Sequence, residues 1–273
     1  MKRLALTSAL SCALSAALLT PLSALADRPF ILPAMTLNSG TAPLITFDAA
    51  VGENLFYFDH NTLSIDNLII TAADGSIVKP ESIALGKLRN SFDVRASLQG
   101  TYKVSIVNDM LIANYKENGA PKRWRGNAES FAKEVPANAE ELQVFQNQSR
   151  IETFVTNGSP NNTALKPSGK GLELQAITHP NDIVDGEAAS FRLLLDGQPA
   201  AGVKVTVIAG GARYRQKLGE QFYTSDADGK IKINWQGAGM YWLQARTSDN
   251  KTAVPAAKER RVSYIATLEV LPQ

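Results

Sequence analysis

The chain has one cysteine among 273 residues, and that one, Cys12, lies near the start. Lys2 and Arg3 are followed by an apolar, small-residue stretch from Leu4 to Leu19, then Pro21 and the A-x-A site Ala24-Leu25-Ala26. This is the form of an export leader over residues 1–26, with a mature chain beginning at Asp27. The stretch falls short of the roughly 20 apolar residues a spanning helix needs. Ala9 stands three places before Cys12, where a lipoprotein signal needs Leu, so lipidation is not expected. Once the leader is gone there is no thiol left, which excludes both disulfides and thiolate chemistry. In an oxidising compartment the stability must then come from packed cores. No later apolar run is long enough to cross a membrane. The leader is of a bacterial kind, so the expected destination is the periplasm.

Net charge is also scarce. Removing Lys2 and Arg3 from 28 basic residues brings them level with the 26 acidic ones. A neutral chain has no basic face of the kind nucleic acid requires, so no nucleic-acid partner is expected. Catalytic signatures are missing as well. There is no G-x-S-x-G, and two histidines are the only imidazole bases. No Gly-rich phosphate loop precedes a helix, since Gly210-Gly211 lies between strands. Neither histidine sits in H-x-x-x-H or H-x-E, so no zinc signature is present. These absences point away from an enzyme. A concealed carboxylate pair, as in glycoside hydrolysis, stays open because spatial pairing is invisible in a sequence.

What the chain does have is strand after strand. Residues 219–247 set the pattern. The turn Asp226-Ala227-Asp228-Gly229 leads into Ile231, Ile233 and Trp235, which alternate with Lys230, Lys232 and Asn234. Gly237 and Gly239 break the run before Tyr241-Trp242-Leu243. The aspartates resemble a calcium loop, but lysines and an asparagine follow where a bidentate carboxylate is needed, so the spacing predicts a plain turn. Earlier, Leu44–Phe47, Leu68–Thr71, Phe92–Val94 and Tyr102–Ile106 read as short strands of a sandwich. Asn127 caps a short helix over Ala128–Val135 that Pro136 ends, and Ala139–Leu142 reads as another helical turn. Residues 157–171, rich in Asn, Gly, Ser, Pro and Lys, read as a linker between domains at 27–156 and 172–273.

In the second half D-G-x-P-x-x-G-x-x-V-x-V, T-S-D-A-D-G-K and G-x-Y-W-L resemble the transthyretin-like or carboxypeptidase-regulatory-like sandwich. A wider set resembles a bacterial periplasmic family of unknown function labelled as a periplasmic component of nickel or cobalt uptake. It comprises Leu55–His60, the Gly119–Gly126 segment with Lys122-Arg123-Trp124-Arg125-Gly126, Gly169–Leu174, Thr178–Asp182 and Gly239–Leu243. Many of that family's mature chains begin with His, where this one begins Asp27-Arg28-Pro29. The expected fold class is all-β: two immunoglobulin-like or transthyretin-like β-sandwich domains with a short helical insert. The resemblance implies a soluble binding or accessory protein in transition-metal acquisition, with an envelope transporter or receptor as partner. An adhesion or carbohydrate-binding module on the same fold is the alternative of another class, and a hydrolase is the third.

The metal expectation rests on His60, His179, Asp59 and Asp182. If the two histidines meet across the domain interface, these four give a nitrogen-oxygen set for a divalent transition-metal ion. The alternative is that each histidine bonds locally at a turn. Trp124 with Arg123, and Arg213 with Tyr214, are the candidate ligand-binding clusters, because the charged neighbours of each aromatic want water.

Overall fold

The structure is a computed structural model that describes residues 27–273, so the expected leader over 1–26 lies outside the described residues. The first half supplies β1 (Arg28–Pro33), β2 (Leu37–Asn38), β3 (Leu44–Gly52), β4 (Asn61–Thr62), β5 (Leu68–Thr71) and β6 (Ile77–Val78). It continues with β7 (Ser82–Leu85), β8 (Asn90–Arg95), β9 (Gly100–Glu117), β10 (Ala120–Gly126), the helix α1 (Ala128–Glu134) and β11 (Glu140–Asn157). The second half supplies β12 (Leu172–Ala176), β13 (Ala188–Leu195), β14 (Gln198–Pro199) and β15 (Lys204–Ala209). After a 3-10 turn come β16 (Gln221–Thr224), β17 (Lys230–Asn234), β18 (Gly239–Asp249) and β19 (Ala257–Val270). The fold is an all-β sandwich architecture, as expected.

The strands form three sheets. One runs β16-β15-β18-β19-β11-β9-β5-β6, with β10 on β9 and β2 on β11. It therefore passes through both halves of the chain. The join is a parallel pairing of β11 with β19, with Ile151 opposite Ile265 and Thr153 opposite Thr267. A sheet of β1-β3-β8-β7, with β4 on β3, covers one face of it over the first half. A sheet of β12-β13-β14, with β17 on β13, covers the other face over the second half. Two sandwiches thus share one middle layer and lie on opposite sides of it.

The sequence of the central strands explains this. A strand with one wet face alternates, as β17 does with Ile231 and Ile233 buried between exposed lysines and Asn234. In β18 five successive residues, Tyr241 to Ala245, are all buried. Both faces of that strand are therefore covered, so polar-apolar alternation gives way to a run whose one polar member is Gln244. Tyr241, Leu243 and Ala245 fill the second core beside Trp235, Tyr264 and Phe191. Trp242 turns the other way, into the first core with Phe30, Phe47 and Phe92. Its indole donates to the Pro29 carbonyl at 2.9 Å, tying β1 to β18.

Beyond this shared layer β9 and β11 run on as a long ribbon that ends in a small third cluster. Leu111, Tyr115, Val135 and Val144 form it, with Trp124 and Phe131 at its side. α1 starts where expected, with the Asn127 side chain accepting from the Ser130 amide. The helical turn expected at Ala139–Leu142 is corrected: β11 already begins at Glu140, and the register slips between Glu140 and Gln143. Pairing with β9 supplies the backbone partners there, and Lys116 bonds Glu141 at the irregularity. Asn157, the first residue of the expected linker, still belongs to β11, and the rest of it, 158–171, has no strand or helix but is tied to both halves. Ala164 and Leu165 are buried, and Asn161 donates to the Ala73 carbonyl at 3.0 Å.

Candidate functional site

His60 ends the loop that follows β3. Its Nε2 lies 3.3 Å from Asp27 and its Nδ1 3.7 Å from Glu53. The two carboxylates face different ring nitrogens, so one ion cannot use both contacts through this ring. Asp59 is turned back into its own loop, accepting from the Glu53 amide at 3.0 Å and from Asn54. These bonds hold its carboxyl below the ordinary aspartate value, although burial opposes them.

His179 lies in the loop between β12 and β13 and is engaged on both nitrogens. Its Nδ1 accepts from the Asn181 amide at 3.1 Å. Nε2 therefore carries the proton and meets Thr101 Oγ1 at 3.0 Å and the Asn161 carbonyl at 3.2 Å. Burial pushes the His179 pKa down; the Asn161 bond and the Asp182 charge pull the other way. Asn181 continues the staple, accepting from Thr156 Oγ1 and donating to the Phe154 carbonyl, each at 3.0 Å. The structure brings Asp182 beside His179, where its amide closes the turn onto the His179 carbonyl. It does not bring that pair to Asp59 and His60. Among the described residues no three His, Cys, Asp or Glu side chains come together as a metal-holding group. The four expected ligands are not gathered at one point among the described residues, and His179 spends its ring on the join between the halves.

Trp124 and Arg123 sit on β10 at the far end of the ribbon. Trp124 packs edge-on against Phe131 at 5.6 Å and donates to Glu134. Arg123 is exposed on the strand beside it. Asp226 is a turn residue, as expected, accepting from the Asp228 and Lys230 amides.

Arg213 and Tyr214 have a different setting. The loop between β15 and β16 meets the loop after β3, so the Leu55–His60 aromatic patch and the Arg213–Tyr214 cluster become one surface. Tyr214 is 81% exposed and lies edge-on to Tyr57 at 6.4 Å. The Arg213 guanidinium stands 5.5 Å from the centre of the Tyr57 ring. The neighbouring Tyr214 hydroxyl pushes the Tyr57 pKa above the ordinary tyrosine value. Behind them is a cavity of about 430 Å3 bounded by Phe56, Gly210, Arg215 and Met240. Two local features hold the seam. Phe56 adopts a φ of 65°, and its ring packs edge-on against Phe30 at 5.4 Å. Gly210 lets that ring approach, since a Cβ there would lie 3.0 Å from it. Arg215 then fixes the second loop, donating to the Ala209, Gly210 and Leu218 carbonyls.

The profile of a family described as a domain of unknown function (DUF4198) matches residues 24–249. The chain belongs to that family. No curated protein matches this DUF4198 chain by sequence. Among solved structures, the D0-D1 domain of Intimin aligns with 88% of this chain and 97% of its own, at 13% identity and a TM-score of 0.23. The human OSCAR ligand-binding domain aligns with 89% of this chain and 97% of its own, at 10% identity and a TM-score of 0.21. A marsupial T cell receptor aligns with 90% and 74%, at 11% identity and a TM-score of 0.22.

One group in this DUF4198 protein escapes the sequence reading altogether. On the face of the shared sheet opposite the first core, Arg150 meets Glu152 at 3.2 Å and Glu173 at 3.5 Å. Ser105 and Tyr264 both donate to Glu152, and Ser168 and Gly169 cap Glu173. All three charged residues are buried. The signal was Arg150-x-Glu152 flanking Ile151 in a strand, a spacing that puts two opposite charges on one face.

Proposed function

We propose that this DUF4198 protein is a non-enzymatic interaction module of the bacterial cell envelope, exported to the periplasm by its leader. It engages its partner through the seam between the loops after β3 and β15. The observation that carries this is Tyr214, left 81% exposed beside Tyr57 and Arg213 on a framework drawn from both halves. Tyrosine and arginine dominate binding hot spots, because each joins a large apolar or planar area to a polar tip. Trp235, Tyr241 and Trp242, by contrast, are spent on the cores.

The resemblance to metal-uptake components then reads as an accessory role. The protein holds an envelope transporter or receptor, and its four expected ligands do not themselves cage the ion. Titration of residues 27–273 with Ni(II), Co(II), Zn(II) and Cu(II) tests this. A 1:1 site tighter than about 100 μM that is lost in His60→Ala or His179→Ala would reverse it.

The seam is tested in living cells with the photo-crosslinker p-benzoyl-phenylalanine at position 214 and, as a control, at 251. The expected result is a discrete adduct at 214 alone, lost when Tyr57→Ala and Arg213→Ala are added. Absence of an adduct at 214, or equal adducts at both positions, defeats the proposal. A glycan array run in parallel identifies a carbohydrate as the partner if it lights up with wild type and not with Tyr214→Ala.

A further inference from the structure

The part of the shared sheet that the second sandwich leaves uncovered forms a groove. Segment 163–170 walls it on one side and β5 with β6 on the other, enclosing a cavity of about 590 Å3. Lys103 lines it from β9, opposite Phe154 of β11, and is only 8% exposed. Its ammonium has three donor hydrogens and makes one hydrogen bond, to the Lys166 carbonyl at 3.2 Å. Among the described residues no carboxylate comes within 4.0 Å of it. Removing an ion from water costs several kcal/mol unless a partner compensates, and lysine is rarely buried without one.

Arg150, in the same wall, shows what compensation looks like, with Glu152 and Glu173 both in reach. Nothing equivalent serves Lys103. Lys166 and Lys170 add further positive charge at the rim. The remaining acid of the lining, Asp74, is taken up by the Ser76 amide at 2.9 Å and hydroxyl at 2.6 Å. The opposite rim is apolar and open: Ile77 is 66% exposed and Ile69 39%.

We propose that this groove binds a small amphipathic organic anion, its head on Lys103 and its aliphatic part against Ile69 and Ile77. The buried ammonium supplies an unmet charge and two unused donors. The isoleucines supply an apolar surface that gains by being covered. The volume is within the range of small-molecule pockets. This site is separate from the tyrosine seam and does not depend on it.

Octanoate, octyl phosphate, octanol and inorganic phosphate are titrated into residues 27–273 and followed by calorimetry and by NMR shifts at Lys103 and Ile77. Octanoate or octyl phosphate is expected to saturate, and the stronger of the two identifies the head group. Octanol and inorganic phosphate are expected to bind at least about ten-fold more weakly, since each lacks half of the recognition. Lys103→Met keeps the buried stem, removes the charge and should weaken the anion by about ten-fold or more. Ile77→Ser, on an exposed edge strand, tests the apolar half without touching the core and should weaken it several-fold. Failure of both amphiphiles to saturate overturns the proposal. So does equal binding of octanol or inorganic phosphate, or an affinity unchanged in the variant that folds.

Discussion

The core of the first sandwich takes Ile208, Trp242 and Ile265 from the second half of the chain, whereas the second core takes from β11 only Phe154. The second sandwich builds both of its layers largely from its own strands, because β15, β18 and β19 pair with one another and face β12, β13 and β17. The first sandwich has no such independence. Its middle layer ends at β11 unless β19 is there to continue it, and its β1 is bonded to Trp242. Position in the sequence therefore misassigns ownership: Trp242 belongs to the second half by chain and to the first by packing.

The largest test of this asymmetry is to separate the halves. Residues 27–156 alone should show no cooperative transition in urea, whereas 157–273 should keep one and self-associate through its bared Trp242 face. Cooperative unfolding of 27–156 by itself would remove the asymmetry. Next comes Trp242→Ala in the whole chain, expected to cost about 3–5 kcal/mol as a large buried residue. Amide exchange should show the loss in β1 and β3 first. Trp235→Ala is the matched change in the other core, and it should speed exchange in β13 and β17 while sparing β1.

The smallest effect is a pH dependence at the staple. His179 is held neutral, with a folded pKa below the unfolded value of about 6.5. Its contribution is complete above that value. It is lost as pH falls from there through the lower folded value, because the unfolded chain takes the proton first. Melting between pH 7 and pH 5 should show a decline in stability, flattened in His179→Gln. An unchanged slope in that variant would show that the decline comes from other groups.

Much of the fold was legible because its signals are local. Alternation marked β17, Asp226–Gly229 marked its turn, and Asn127 with Pro136 bracketed α1. The run Tyr241–Ala245 carried a further signal, since a strand without alternation is covered on both sides. Which layers cover it was not legible. The pairing of Ile151 with Ile265 spans over a hundred residues and leaves no mark on either strand by itself. The same holds for the site. Arg213 and Tyr214 read as a cluster that wants water, and the aromatic patch at Leu55–His60 was visible separately. Their meeting depends on the positive φ of Phe56 and the bare backbone of Gly210, neither of which has a pattern in the sequence. The histidines were noticed for their rarity, yet rarity does not distinguish a ligand from a hydrogen-bonding staple.

The parallel join of β11 with β19 also sets a timetable. Synthesis delivers the chain from its first residue at roughly 5–20 residues per second. The first half is therefore complete several seconds before β19, the strand that must lie beside it, has been made. Through that interval its phenylalanine-rich strands have no finished middle layer to close on. A chain built this way can close its first core only once almost its last strand has been made.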